Sequence, residues 1–226
     1  MTRKDEIRAA YKSLGKAHSM YDGMMLGTTF TGRLVSKAVW NMTPEEEAEY
    51  PARIFEAIPK DFTGKILEVP VGTGVLSMPV FKTLEQAEIT CLDYSEKMME
   101  SAKERADELN ISNITFVQGD VGNLPFADES FDTVVSLNGF HAFPDKEAAF
   151  RETYRVLKKG GMFTGCFYIE GIEKRSDFFL QTLYTKAGFF TPPFETLAGL
   201  KRRLENMYSS AEVSNLHSIG IFRCIK

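Results

Sequence analysis

The sequence lacks the features that would place it in a membrane, in a metalloprotein class or in an oxidising compartment. No apolar run approaches the roughly 18 residues that cross a bilayer, and no signal-peptide core follows Met1. The three cysteines are far apart with no Cys-x-x-Cys pair, and the three histidines share no metal-ligand spacing. We therefore expect a cytoplasmic protein with reduced cysteines, no membrane span and no bound metal.

An excess of charge of one sign is also absent. The chain has 27 basic and 31 acidic residues, a net charge of −4 at pH 7, and no basic cluster. This balance argues against a nucleic-acid substrate and favours a small-molecule acceptor. A length of 226 residues with 43% hydrophobic residues suits one globular domain with added helices, and leaves the oligomeric state open.

A glycine-rich turn after an apolar strand is the most informative feature of the chain. The run Lys65–Val69 is typical of a buried strand, and Gly72 and Gly74 follow in a turn that is expected to open a helix. Glycine has no Cβ, so a ligand can lie against bare backbone there. Glu68 ends the strand, and Asp93 follows Gly74 by 19 residues at the end of the next strand. A carboxylate there can accept hydrogen bonds from both ribose hydroxyls, which indicates a nucleoside-containing cofactor.

Two interpretations of this turn remain open. The dinucleotide fingerprint needs three glycines, and this chain has Ser77 at the third position. The alternative is an acidic-x-Gly-x-Gly-x-Gly turn, here Glu68-x-Pro70-x-Gly72-x-Gly74. Pro70 replaces the first glycine and reduces the room for a ligand. The first interpretation predicts a nicotinamide-dependent oxidoreductase, whereas the second turn resembles that of class I S-adenosylmethionine-dependent methyltransferases.

Short apolar runs alternate with helical patterns from Gly64 onward. The predicted strands are Lys65–Val69, Glu88–Leu92, Ile114–Gln118, Phe131–Leu137 and Met162–Tyr168, followed by Ala211–Ser218 and Ile219–Ile225. Ser95 and Asp145 are good N-cap residues for helices, and Gly160-Gly161 is expected to end the second of these helices. The pattern predicts an α/β fold with a doubly wound, mostly parallel seven-stranded sheet and a C-terminal antiparallel hairpin.

The segments outside this alternation are predicted to be helical. Before the first strand, helices are expected over Lys4–Ser19, over Thr31–Trp40 and after Thr43. Residues 172–209 are also helical in pattern, rich in aromatics and broken at Pro192-Pro193. We expect residues 1–60 to form a helical lid, and residues 61–226 to form a Rossmann-like domain with an insertion at 172–209. The aromatic residues of that insertion either line an apolar acceptor pocket or pack its helices together.

Four motifs occur in a set order along the chain. They are the Glu68–Gly74 turn, Leu92-Asp93-Tyr94-Ser95 with Met98, Val117–Phe126 followed by Asp128-x-x-Phe131-Asp132, and Arg155–Gly161. With the closing hairpin, they belong to a match that extends from Gly64 to the C-terminus, about 160 of 226 residues. The chain resembles a class I S-adenosylmethionine-dependent methyltransferase of the ubiquinone/menaquinone-biosynthesis group (methyltransferase type 11).

The resemblance implies a cofactor, a product and a set of contacts. The cofactor would be S-adenosylmethionine and the product S-adenosylhomocysteine. The implied contacts are Glu68, Val69, Pro70, Gly72, Thr73, Gly74, Asp93, Tyr94, Met98, Gly119, Asp120, Val121 and Asn138. In this family pattern Glu68 faces the methionine amino group, Asp93 holds the ribose diol and Asp120 accepts from the adenine amino group. Tyr94 and Met98 would pack against the adenine, and Asn138 would contact the methionyl part.

Two residues are candidates for the catalytic step itself. His141 lies near the predicted site and could act as a general base, although a packing histidine explains it as well. Tyr21 could reach over the cofactor from the N-terminal helices or could belong to a core. The expected reaction is methyl transfer to a small or medium-sized, partly apolar acceptor. The alternatives are the oxidoreductase and a methyltransferase-like binding protein without turnover.

Overall fold

The computed structural model describes Asp22, Leu34 and residues 36–226. Within this part of the chain, seven strands form one sheet: β1 (Lys65–Glu68), β2 (Glu88–Asp93), β3 (Ile114–Gln118), β4 (Phe131–Leu137), β5 (Leu157–Tyr168), β6 (Ser210–Leu216) and β7 (Ile219–Ile225). Their order is β3-β2-β1-β4-β5-β7-β6. Strands β1 to β5 are parallel, and β7 is antiparallel to both β5 and β6. The predicted α/β fold is confirmed.

Side-chain caps mark the beginning of several of the helices. The helices are α1 (Pro44–Phe55), α2 (Met78–Phe81), α3 (Glu96–Glu108), α4 (Lys146–Val156), α5 (Lys174–Phe179) and α6 (Leu197–Met207), with π-helical segments at Ser36–Trp40 and Leu180–Tyr184. The Thr43 and Glu46 side chains form a capping box before α1. Ser95 and Asp145 cap α3 and α4 as predicted. The helix predicted over Lys4–Ser19 lies outside the described residues.

The end predicted for α4 is wrong. This helix stops at Val156, and β5 begins at Leu157, so Gly160 and Gly161 lie inside the strand. Both glycines lie in a β-bulge. Phe131 pairs with Leu157 and Thr133 pairs with Met162, so β5 has extra residues between these two pairs. Gly160 has a φ of 74°, which a residue with a side chain rarely adopts. The glycines therefore mark an irregularity of the strand.

Helix α1, the first α-helix of the fully described region, belongs to the main core. Tyr50, Ile54 and Phe55 of α1 are buried together with Ile66 of β1 and Phe81 of α2. This part of the predicted N-terminal lid therefore packs into the core, and a helical lid over residues 1–60 stays a prediction. The physical reason is that α1 carries a stripe of large apolar side chains on one face, and the sheet offers the nearest apolar surface to cover it.

The insertion packs on the carboxyl end of β5 through aromatic rings. Phe190 is buried, and its ring centroid lies 6.5 Å from Trp40, 5.6 Å from Tyr168 and 5.7 Å from Tyr184. The Tyr168 hydroxyl donates to Asp177 at 2.6 Å. The predicted helix break at Pro192-Pro193 is confirmed. None of the helices in the described residues combines the length and apolar character needed to cross a membrane.

Candidate cofactor site

A cavity lies at the edge of the sheet where the parallel strands reach their carboxyl ends. Its walls come from the loops that follow β1 to β4, which is where open α/β sheets bind ligands. All thirteen positions predicted to contact the cofactor line this one cavity, although they are spread over residues 68–138. Sequence reasoning did not name the remaining wall, which includes Leu137, Gly139, Ala142, Phe143 and Pro144.

The two glycines of the turn have different physical roles. Both have positive φ, 57° at Gly72 and 68° at Gly74. Nothing lies within 4 Å of a Cβ placed on Gly72, whereas a Cβ on Gly74 would lie 2.7 Å from Cγ of Met78. Gly72 therefore leaves open space against the backbone, and Gly74 allows close packing on α2. The helix that was expected after the turn is only four residues long, so the site depends on turn backbone rather than on a helix dipole.

Pro70 fits into the site because its neighbour has no side chain. The Val69–Pro70 peptide bond is cis. A Cβ placed on Gly139 would lie 2.3 Å from Cδ of Pro70. Gly139 therefore provides the space that the proline ring occupies. The sequence signal for this role was the glycine directly after Asn138 at the end of β4.

Asp93 holds two turns together with its carboxylate. Its Oδ2 accepts from the backbone N–H of Gly72 at 2.8 Å, and its Oδ1 accepts from the backbone N–H of Ser95 at 2.7 Å. Burial raises the pKa of Asp93 to about 6, and the hydrogen bonds from Ser95 and Gly72 oppose this rise. The group is mainly ionised at neutral pH. A carboxylate can accept about four hydrogen bonds, and the backbone of Tyr94 is a third donor to Asp93, so capacity remains for a ribose hydroxyl.

Glu68 lies deeper than the sequence indicated. It is almost completely buried, and its Oε2 accepts from Ser77 Oγ at 2.8 Å and from Cys91 Sγ at 3.6 Å. Burial raises the pKa of Glu68 to about 8, so the isolated group is mostly neutral at pH 7. A cation in the cavity would favour its ionised form. Ser77 and Cys91 were not predicted as its partners.

Two further polar residues of the cavity wall also make internal contacts. Oδ1 of Asp120 accepts from Gly122 N at 2.9 Å, as a turn aspartate does. Asn138 has a φ of 53°, and its Nδ2 donates to the Tyr50 hydroxyl at 3.3 Å. Both side chains are thus held in place by the protein while they line the cavity.

The general-base hypothesis for His141 is wrong in this geometry. Its Nδ1 accepts from the backbone N–H of Tyr168 at 3.3 Å, and its ring stacks on Phe190 with centroids 4.0 Å apart. Burial lowers the pKa of His141 to about 3. His141 is not one of the cavity-lining residues. It is a packing histidine, and the other catalytic candidate, Tyr21, lies outside the described residues.

Asp22 contacts Thr73 in the glycine turn and Arg105 of α3. Thr73 Oγ1 donates to Asp22 Oδ1 at 2.7 Å, and Arg105 Nη2 donates to Asp22 Oδ2 at 2.5 Å. Nε of Arg105 also donates to the Thr73 carbonyl at 3.3 Å. Asp22 and Arg105 therefore hold Thr73 from both sides. Sequence reasoning missed this contact, because Asp22 and Arg105 are 83 residues apart.

Arg155 joins the third motif to the fourth. Its guanidinium donates to the carbonyl oxygens of Leu124 and Phe126 and to the carboxylates of Asp128 and Glu152, at 2.8–3.0 Å. These contacts fix the loop that carries Asp120 and Val121 into the cavity. Arg155 of the fourth motif therefore supports the loop and is not one of the cavity-lining residues.

Comparison with known proteins agrees with this geometry. Residues 66–161 match the family model described as a methyltransferase domain. Demethylmenaquinone methyltransferase of Thermotoga maritima is 36% identical over 115 residues, which is 51% of this chain and 48% of that enzyme. Phosphatidylethanolamine N-methyltransferase of Cereibacter sphaeroides is 34% identical over 125 residues, 55% of this chain and 60% of that enzyme. The chain spans about half the length of the curated relatives it matches.

A solved structure with a similar fold is phosphoethanolamine N-methyltransferase 2 of Haemonchus contortus, in complex with phosphomonomethylethanolamine and S-adenosylhomocysteine. The TM-score is 0.68 at 17% identity, and the match covers 87% of this chain and 57% of that one. At this identity the similarity concerns the fold alone. The family match includes the glycine turn, Asp93, Asp120 and Arg155. Residues 66–161 are therefore similar to a methyltransferase domain, and the fold around them is similar to that of a solved methyltransferase structure.

Proposed function

We propose that this chain transfers the methyl group of S-adenosylmethionine to a small or medium-sized, partly apolar acceptor. The observation that carries the proposal is the cavity in which Gly72, Glu68 and Asp93 meet. Gly72 leaves bare backbone for a ligand, Asp93 has acceptor capacity for a ribose, and Glu68 would be ionised by a cation. These three properties fit a nucleoside that carries a positive charge.

The remaining residue roles belong to the same proposal. Glu68 would accept from the methionine amino group, and Asp93 would orient the ribose. Tyr94 and Met98 would pack on the adenine ring, while Asp120 would accept from its amino group. When bound, the cofactor supplies the methyl electrophile, so that the protein needs to supply position and exclusion of water. Apolar wall residues such as Leu137 and Phe143 would exclude water near the acceptor.

The character of the acceptor is inferred from the wall and from the relatives. Leu137, Ala142, Phe143 and Pro144 make the β4 side of the cavity apolar. One relative is named for a quinone acceptor and the other for a phospholipid. We therefore propose a ring-bearing or lipid-like acceptor rather than a free amino acid.

A cytoplasmic site of action is part of the proposal. Its support is that Cys91, Cys166 and Cys224 are buried free thiols, as is usual in a reducing compartment. Fractionation of cells that produce the full protein, probed with an antibody, tests this point separately from activity.

Calorimetry and an acceptor screen together test the proposed function. We expect micromolar binding of S-adenosylmethionine and S-adenosylhomocysteine and no binding of NAD. The screen should detect methyl transfer to quinols or lipid acceptors, and not to free amino acids. Binding of NAD without binding of S-adenosylhomocysteine would identify an oxidoreductase. Cofactor binding without turnover on any acceptor would favour the binding protein without catalysis.

A further inference from the structure

One helical face of the insertion exposes large apolar side chains among cations. Helical structure runs without a break over residues 174–186. Phe178 is 63% exposed and Leu183 is 56% exposed. Lys174, Arg175 and Lys186 are exposed beside them. We call these five residues the docking face.

The π-helical segment brings the two apolar residues closer together around the helix. In a regular α-helix, Phe178 would share its side with residue 182. Here the N–H of Thr185 bonds to the carbonyl of Leu180, which is an i to i+5 contact that inserts one residue into the turn. The inserted residue reduces the angle around the helix axis between Phe178 and Leu183, and both side chains are exposed. Lys174 lies one turn before Phe178 on the same side of the helix.

The acidic residues of this segment are directed into the protein. The carboxylate of Glu173 accepts from Asn41 and Ser176 and lies 2.8 Å from Nδ1 of His217. The carboxylate of Asp177 accepts from Tyr168 and Gly171. Within the described part of the chain, no ion pair involves Lys174, Arg175 or Lys186. The docking face is therefore apolar at its centre and positively charged around it.

The docking face lies at the same edge of the sheet as the cavity. The loop that follows its helix is tied to the cavity wall, because Thr191 N donates to His141 O and Thr191 Oγ1 donates to Ala142 O, both at 2.9 Å. Ala142 lines the cavity. Large apolar side chains flanked by lysine and arginine are what interfacial helices present to anionic lipids.

We propose that the docking face binds the surface of an anionic lipid bilayer. Phe178 and Leu183 would insert at the boundary of headgroups and acyl chains, and the three cations would contact anionic headgroups. The cavity mouth would then lie near the bilayer, where a lipid-like acceptor resides. Only this last step rests on the proposed function, since binding to the bilayer itself depends on the docking face alone.

Flotation of the full chain with lipid vesicles tests the proposal. The probes are vesicles of phosphatidylcholine alone and of phosphatidylcholine with phosphatidylglycerol, without cofactor or acceptor. We expect binding to the second kind only, weakened by added salt. Phe178→Ser with Leu183→Ser should abolish it. Lys174→Glu with Lys186→Glu should weaken it by more than about tenfold, since each interfacial cation contributes roughly fivefold.

A matched control uses Lys60→Glu with Lys159→Glu, which changes the net charge equally. Lys60 precedes β1 and Lys159 lies at the amino end of β5, so both are at the opposite edge of the sheet. This variant should bind vesicles as the native chain does.

Three outcomes of the flotation experiment would each overturn the proposal: equal binding by all variants, binding to neutral vesicles alone, or no binding at all. Light scattering provides one more check. If the native chain is a dimer and Phe178→Ser dissociates it, the proposal is overturned, because the docking face would then be an interface between two copies of the chain. S-adenosylhomocysteine calorimetry on the same variants keeps this result separate from the proposed function.

Discussion

The carboxylate of Asp93 accepts a hydrogen bond from the backbone N–H of Gly72 at 2.8 Å. This contact joins the end of β2 to the turn after β1, so the cavity floor is organised by the protein itself. Asp93 thus has two tasks in the proposed site: it shapes the turn, and it would bind the ribose.

Replacing Asp93 by Ala should weaken S-adenosylhomocysteine binding by about 1.5–3 kcal/mol, the usual range for hydrogen bonds to a charged group. Asp93→Asn should lose less, because one oxygen still accepts. Calorimetry measures the affinities, and circular dichroism should show that both variants remain folded. An unchanged affinity in the Ala variant would refute the ribose assignment.

Cofactor binding should release a proton from Glu68. The pKa of Glu68 is raised to about 8 by burial, and a bound cation would lower it. A group whose pKa falls on binding makes the ligand bind more tightly as pH rises, here up to about tenfold per pH unit until pH 8. Calorimetry in two buffers of different ionisation enthalpy measures the number of protons released on binding. Glu68→Gln should remove both effects, and adenosine, which lacks the methionine, should show neither with the native chain.

Replacing His141 by Gln should make the protein less sensitive to acid. The pKa of His141 is lowered to about 3 in the folded chain, against 6.5 for a free histidine. Its contribution to stability is therefore present above pH 6.5 and is lost as pH falls towards 3, by up to about 1.4 kcal/mol per pH unit. Gln can still accept from the Tyr168 amide. Denaturant unfolding at several pH values measures the free energy of unfolding of both chains. An equal loss of stability in both as the pH falls would contradict the lowered pKa of His141.

Arg155→Met should destabilise the fold by about 2–4 kcal/mol, because two carbonyls and the carboxylate of Glu152 lose their donor. Cofactor affinity should fall as well, since the loop with Asp120 is no longer fixed. Arg151→Met, on an exposed position of the same helix, is the matched control and should change stability little. Thermal unfolding checks both, and equal stability of the two variants would show that the contacts of Arg155 contribute nothing.

Asp22→Asn should loosen the glycine turn without unfolding the chain. The substitution removes the charge that holds Arg105 and leaves Thr73 with a weaker partner. Amide hydrogen exchange at residues 72–75 should become faster, while exchange in β4 should not change. Arg105→Gln should have the same effect, and the double variant should add little to either one. Full additivity would show that the two residues act independently.

Local sequence patterns predicted the parts of the fold that depend on near neighbours. The Thr43 capping box, the Ser95 and Asp145 caps and the apolar run Phe131–Leu137 each involve residues a few positions apart. The positions around the cavity were also predictable, because the carboxyl ends of parallel strands must meet at one edge of the sheet. The family motifs then indicated which cofactor to expect there.

Only the tertiary structure decided what these residues experience in the folded chain. Whether α1 joins the core, whether Gly74 faces a ligand or Met78, and whether His141 reaches the cavity depend on residues far away in sequence. The protonation of Glu68 likewise depends on how completely the fold removes it from water. The sequence thus determined the strands, the caps and the residues that gather at the cavity, whereas long-range packing and burial determined the role that each of them can have.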